Sequence, residues 1–310
     1  MKKKLLFILL LLFSSYPSFA QEEGYVMQHI ALDSVVITAS KYGFDIAGFI
    51  QRVEQDTTFY KAFKTLRILS YKAKNNIRIF NENGSEKASF KSTTLQHHQH
   101  GCRTMDVLSE KTTGNFYKSD SSYNYYTAKL YADVFFTRGK ICGETNIVGN
   151  SYQPEKANNA LDRHKNQLKQ LIFNPGKPIH DIPLISNKVA IFSNDIAPHY
   201  NFSIHSASYD STDCYVFTAK VKPAYKEKMV IDHLTTFFSK KKMEIIYRDY
   251  TLSYKNFLFH FNVNMQVSMT HFDGLMVPKR VYYNGNWKIL FKKAENVIFL
   301  ARFSQFTHDG

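Results

Sequence analysis

The chain has 310 residues, with 26 Phe and 20 Tyr against 13 Gly and 8 Pro, a balance that excludes disordered and collagen-like classes and favours a β-rich fold. Forty basic residues face 26 acidic ones, a formal charge of +14, which by itself favours acidic partners. Three cysteines, Cys102, Cys142 and Cys214, are too few for a disulfide-scaffolded fold and allow at most one intrachain pair.

The first 20 residues carry a three-part export pattern. Lys2, Lys3 and Lys4 form a positive start, Leu5 to Phe13 an apolar core, and Ser18 and Ala20 the small residues of a cleavage site. The core is far shorter than the ~20 residues needed to cross a bilayer. Residues 1–20 are therefore expected to be a signal peptide, cleaved before Gln21. The mature chain is expected to be exported, to the periplasm or the outer-membrane periphery, without a transmembrane segment. Cleavage removes three lysines and no acid, leaving 37 basic against 26 acidic residues. Export sets nucleic acid aside and turns the positive charge towards anionic headgroups, lipopolysaccharide or acidic glycans.

Residues 21–43 read as an extended leader containing the β-branched run LDSVVITA (32–39). A helical region follows over about 44–66. Phe44, Ala47, Ile50 and Val53 recur at helical spacing, and Asp56-Thr57-Thr58 can cap a second helix carrying Phe59, Phe63 and Leu66. From Leu66 the period shifts towards two, and Asn83-Gly84 signals a hairpin.

The stretch LQHHQHGC (95–102) is the first with ligand chemistry. In an extended strand His98, His100 and Cys102 share a face, and a His-x-His pair with a thiolate can hold zinc or copper. No second ligand cluster accompanies it, no carboxylate within it orients the imidazoles, and Gly101 interrupts the strand. Histidines beside a structural cysteine are the expectation, with no metal and no cofactor. Proximity within one β-rich half pairs Cys102 with Cys142, and Cys214 reads as a buried apolar residue. No G-x-S-x-G, H-E-x-x-H or P-loop motif occurs, so no catalytic residue is expected and the protein is not expected to be an enzyme.

The tyrosine-rich run FYKSDSSYNYYTAKLYADVFF (116–136) is poor in helix signals. A second helical block is expected over 154–173, ended by Asn174-Pro175-Gly176, with a Pro-interrupted connector behind it. Further on, FHFNVNMQVSMT (259–270) alternates without a fault. Phe259, Phe261, Val263, Met265, Val267 and Met269 point one way and polar residues the other. Each such side chain contributes roughly 1.5–3 kcal/mol when buried, so this face must be covered. Asp273-Gly274 turns the chain, Pro278 suggests a strand start or an edge, and the runs NGN (284–286) and KAEN (293–296) read as tight turns between later strands.

Asp273, Gly274, Pro278 and Val281 form a D-G-x-x-x-P-x-x-V pattern that resembles outer-membrane lipoprotein carriers of the Lol type. The resemblance covers about the last third of the chain. It implies a half-barrel whose concave face, closed by helices, holds lipid. It gives residues 44–180 no role. The runs LDSVVITA, FYKAF, GCRT, FFTRGKICGE and QLKQLIFNPGKPI resemble a group of secreted Bacteroidota proteins. LDSVVITA also resembles the extended box of TonB-dependent receptors, which pairs as a strand with a partner.

The expected fold is α+β: one domain over 44–310 built on a large, curved, open antiparallel sheet (a half-barrel), with helices packed on the concave face. The expected function is non-catalytic binding of a lipid or acylated ligand in the cell envelope. Phe259, Phe261, Val263, Met265, Val267 and Met269, assisted by Trp287, would supply apolar contacts. The alternative is an interaction module that docks to an outer-membrane protein partner through the N-terminal extended segment.

Overall fold

A computed structural model describes residues 35–37, 45–143, 172–173, 175–176, 188–256, 259–289 and 293–308. The expected signal peptide, most of the leader, and the helical block at 154–173 apart from Ile172 and Phe173 lie outside them.

The described chain forms one 12-stranded sheet. In chain order its strands are β1 (Val35–Ile37), β2 (Ser70–Phe80), β3 (Glu86–Gln99), β4 (Cys102–Thr113), β5 (Ile141–Cys142), β6 (Tyr200–Tyr209), β7 (Thr212–Val221), β8 (Ile231–Ser239), β9 (Ile245–Lys255), β10 (Phe259–Phe272), β11 (Leu275–Ile289) and β12 (Glu295–Thr307). The spatial order is β1-β6-β7-β8-β9-β10-β11-β12-β2-β3-β4-β5. The sheet is open, with β1 at one end and β5 at the other. β6 to β12 run as an antiparallel meander, and β2 continues it by pairing antiparallel to β12, with β3, β4 and β5 following in turn. β1 adds to β6 in parallel, Val35 opposite Phe202. This is the curved α+β half-barrel implied by the carrier resemblance.

Local chemistry sets the hairpins. Residues His100-Gly101, Asp210-Ser211 and Asp273-Gly274 join consecutive strands as two-residue turns, and each of the six has positive φ, between 46° and 69° except for 75° at Gly274. That geometry matches the right-handed strand twist and suits Gly and Asp. LQHHQHGC is therefore the β3–β4 hairpin, with His100 in the turn and not on a shared strand face.

Among the described residues three complete α-helices lie on one face of the sheet: α1 (Ile46–Gln55), α2 (Thr58–Thr65) and α3 (Tyr126–Phe135). Asp45 caps α1 by accepting from Gly48 N at 2.8 Å. Asp56 accepts from Thr58 Oγ1 at 2.7 Å and Phe59 N at 3.4 Å at the start of α2. The face they cover carries the core, including Phe202, Phe217, Tyr250, Tyr283 and Ala301.

Several expectations are corrected. The tyrosine-rich run contains α3. Its N-cap position, Tyr125, makes no side-chain cap bond. The cap comes instead from Glu295 on β12, whose carboxylate accepts from Tyr126 N (2.7 Å), Thr127 N (2.9 Å) and Thr127 Oγ1 (2.8 Å). A negative charge at this end also complements the helix dipole. NGN is no turn: β11 runs straight through Asn284-Gly285-Asn286. KAEN overlaps β12, which begins at Glu295. Pro278 lies inside β11, opposite Met269, where the register shifts by a bulge. A bulge is where a proline costs a ladder least.

Candidate functional site

The inner face of β10 is the site expected from sequence. Phe261, Val263, Met265, Val267 and Met269 are all buried, as is Trp287 on β11. Phe259 lies in β10 opposite Ile289, and its side chain is outside the described residues. Phe261 pairs in register with Trp287 and Tyr254, with ring centroids 5.0 and 6.3 Å away. Met265 lies between Tyr250 and Tyr283. Gly285 makes room for this arrangement. A Cβ there would fall 2.1 Å from the Tyr283 hydroxyl, so the missing side chain lets the Tyr283 ring lie along β11. From there Tyr283 accepts a hydrogen bond from Trp287 Nε1 and stacks on Phe299 at 4.6 Å.

Two kinds of roof cover the sheet face to which these residues belong. α3 is tied down by Glu295, and its Tyr131 and Phe135 rest on Phe299 at 4.7 and 6.4 Å. α1 and α2 lie on the sheet through ring contacts. Phe49 meets Tyr215 and Phe238 at 5.7 and 5.6 Å, Phe59 meets Tyr250 at 6.4 Å, and Phe63 meets Phe173 at 4.8 Å. Ile245 N donates to Thr58 Oγ1 at a long 3.4 Å. Arg248 reaches under this roof, 4.4 Å over the Phe59 ring, and donates from Nε to Thr236 Oγ1 at 3.0 Å. Burial disfavours its charge and holds its pKa down to about 10, with Asp56 acting the other way.

Beyond α3 the apolar interior reaches the surface in a crevice of about 180 Å³. Phe90, Met105, Val107, Tyr123 and Phe136 line it, with Arg138 and Glu110 among its polar groups. Arg138 stands 5.5 Å over the Tyr123 ring. Val107 and its neighbour Leu108 are more than half exposed. Nothing in the β4 sequence marked this opening, because its apolar residues are few and interrupted by charge.

The hairpin histidines and the cysteines build no metal centre. Among the described residues no group of His, Cys, Asp and Glu is placed to hold a metal ion. Cys102 is bonded to Cys142 across β4 and β5. His97 pairs with Asp106 at 2.9 Å on the surface. Gln96 is the structural residue of the stretch. Its Nε2 donates to Leu66 O and Leu69 O, and its Oε1 accepts from Tyr71 and Thr137. Cys214 is buried and free, and burial raises its thiol pKa, which keeps it a poor nucleophile.

The opposite face of the same strands is polar and carries a hollow of about 350 Å³. Its floor is Asn262 and Asn264 on β10, Asn284 and Asn286 on β11 and Asn296 on β12, and the β2–β3 hairpin supplies Phe80 to Gly84 as a wall. Among the described residues no helix is long and apolar enough to cross a membrane.

No protein-family model matches the chain, and no curated protein matches it in sequence. Among solved structures it is similar in layout to an outer membrane lipoprotein-sorting protein domain from Vibrio parahaemolyticus, at 6% identity and a TM-score of 0.28, covering 84% of this chain and 91% of that one. A DUF1329 family protein from Desulfovibrio piger gives 11% identity and a TM-score of 0.23, over 82% and 94% of the two chains. Lipovitellin, in a structure titled for its lipid–protein interactions, gives 8% identity and a TM-score of 0.28, over 78% of this chain and 25% of that one.

Proposed function

We propose that this is an exported, non-catalytic envelope protein that takes up the acyl chain of a lipid or acylated ligand against the inner face of β10 and β11. One observation carries the reading: the apolar face of the sheet that includes β10 is covered beside β10 by two short helices whose ring contacts reach β7, β8 and β9. Such contacts are apolar and leave no hydrogen bond unmade when they part, so an acyl chain can supply burial in their place. Phe261, Met265, Met269 and Trp287 are then the contacts a chain meets once α1 and α2 lift. Methionines suit an occupant of variable shape.

The docking alternative has less support, because Val35–Ile37 already gives one edge to β6.

Trp287 is the only tryptophan and it lies on the proposed path, so it serves as the probe. Titration with a fatty acid brominated along its chain should quench Trp287 fluorescence saturably, while the unbrominated acid leaves it bright. Saturable binding without quenching would place the chain elsewhere. No acyl species in an organic extract of protein purified from its own periplasm, together with no quenching, would sink the reading.

A further inference from the structure

We infer that the asparagine-floored hollow on the outer face is a second binding site, for an uncharged saccharide. It stands apart from the acyl reading: β10 and β11 present their odd-numbered side chains to the core and these even-numbered ones outward.

The first argument is placement against propensity. Asparagine is among the residues depleted in strands, and a solvated strand face normally uses Thr, Tyr or charged residues. Here five asparagines fall on three adjacent strands and in register. Asn264 faces Asn284, Asn262 faces Asn286, and Asn286 faces Asn296. Two of them flank Gly285 in an Asn-Gly-Asn tripeptide of strong turn preference, yet it lies mid-strand. A local rule broken several times in one patch marks function more than fold.

The second argument is how the amides are held. Asn264 donates to Asp249 Oδ1 at 2.9 Å and to Thr251 Oγ1 at 3.2 Å. Asn286 donates to Asn296, and Asn296 reaches Asn81 O at 3.5 Å, which ties the wall to the floor. Asn262 and Asn284 are exposed and make no side-chain hydrogen bond among the described residues. They sit diagonally on neighbouring strands, with supporting amides fixed around them. This is a rigid floor with two free amide groups, each offering a donor pair and an acceptor in one plane.

The third argument is charge. The lining holds no Lys or Arg, and its one carboxylate is Glu82. The nearby Arg78 is paired with Glu86 at 2.7 Å. Arg78 also stands 4.8 Å over the Phe80 ring of the wall, so an anion finds no unpaired cation in the lining, and a cation finds a single exposed acid. Groups that both donate and accept match vicinal hydroxyls. The volume lies within the roughly 300–1,000 Å³ range of ligand pockets.

The test is calorimetric titration of the whole mature protein with neutral trisaccharides of α- and β-linked glucose, mannose, xylose and N-acetylglucosamine. At least one should bind. The double variant Asn262→Thr, Asn284→Thr should weaken it by about tenfold or more, as expected when two hydrogen bonds are lost. Its melting temperature should hold or rise, because threonine is the better strand former. Asn201→Ala, exposed on β6, should leave binding unchanged. Three results would overturn the site: no panel member binds, the double variant binds as well as the parent, or the double variant melts lower, which would make the asparagines structural.

Discussion

Asp232 shows how much one side chain can report. It sits in β8 where the register against β9 shifts between Ile231 and His233, so it is the bulged residue. Its Oδ1 is buried without a hydrogen-bond partner. Burial raises its pKa, against the pull of a Ser253 hydrogen bond and Lys226. The folded pKa therefore lies above the unfolded value of about 3.9. Above the folded pKa the group is charged in both states and folding bears the full penalty of burying it. As pH falls through the folded pKa and then the unfolded one, the penalty disappears. Asp232→Asn should thus raise the melting temperature at pH 7, and the gain should shrink to nothing below about pH 4. An equal gain at both pH values would trace it to packing instead. The same bulge explains why the residue could not be read from sequence: alternation gives no warning of where a ladder slips.

At the scale of elements, α3 and β10 mark the two limits of sequence reading. β10 was legible as an alternating strand, though not the bulge opposite Pro278. Six alternating apolar residues need a covered face, and the turn at Asp273-Gly274 needs two positive φ values, so both follow from local chemistry. α3 was not, because the group that caps it lies 169 residues away in Glu295. A helix whose N-terminal amides are satisfied by a distant strand leaves no Ser, Thr, Asp or Asn signal at its own start. Asn284-Gly285-Asn286 failed for a related reason. The pull of Asn-Gly towards a turn was overridden by the Tyr283 ring, which needs the space above Gly285, and by ladders on both sides. The misread tripeptide is also the floor of the outer hollow, so the one place where local preference was most wrong coincides with a candidate site. Glu295→Ala should loosen α3 and cost about 1.5–3 kcal/mol, the range for bonds to a charged acceptor. Glu295→Gln, which keeps an acceptor oxygen without the charge, should cost less. Chemical denaturation with circular dichroism measures both, and a null effect of Glu295→Ala would mean that α3 is held by Tyr131 and Phe135 alone.

At the scale of the whole molecule, one open sheet presents two faces with opposite chemistry, and the acyl proposal depends on its roof being divided. α3 carries ionic hydrogen bonds to β12 and lies within the loop closed by the Cys102–Cys142 bond. α1 and α2 carry ring contacts to the same face of the sheet. Elements with few directional bonds open locally at lower free energy than the core beneath them. Native-state hydrogen exchange should therefore rank the amides. Residues 46–65 should exchange fastest among the helices, 126–135 should be intermediate, and β10 and β11 slowest. Adding a saturating fatty acid should speed exchange across 46–65 by displacing the rings of Phe49, Phe59 and Phe63, and should leave α3 unchanged. If 46–65 is instead as protected as β10, these helices are fixed core. The apolar face of β10 then has no way in through them, and the polar hollow on its other side becomes the better guide to what the protein binds.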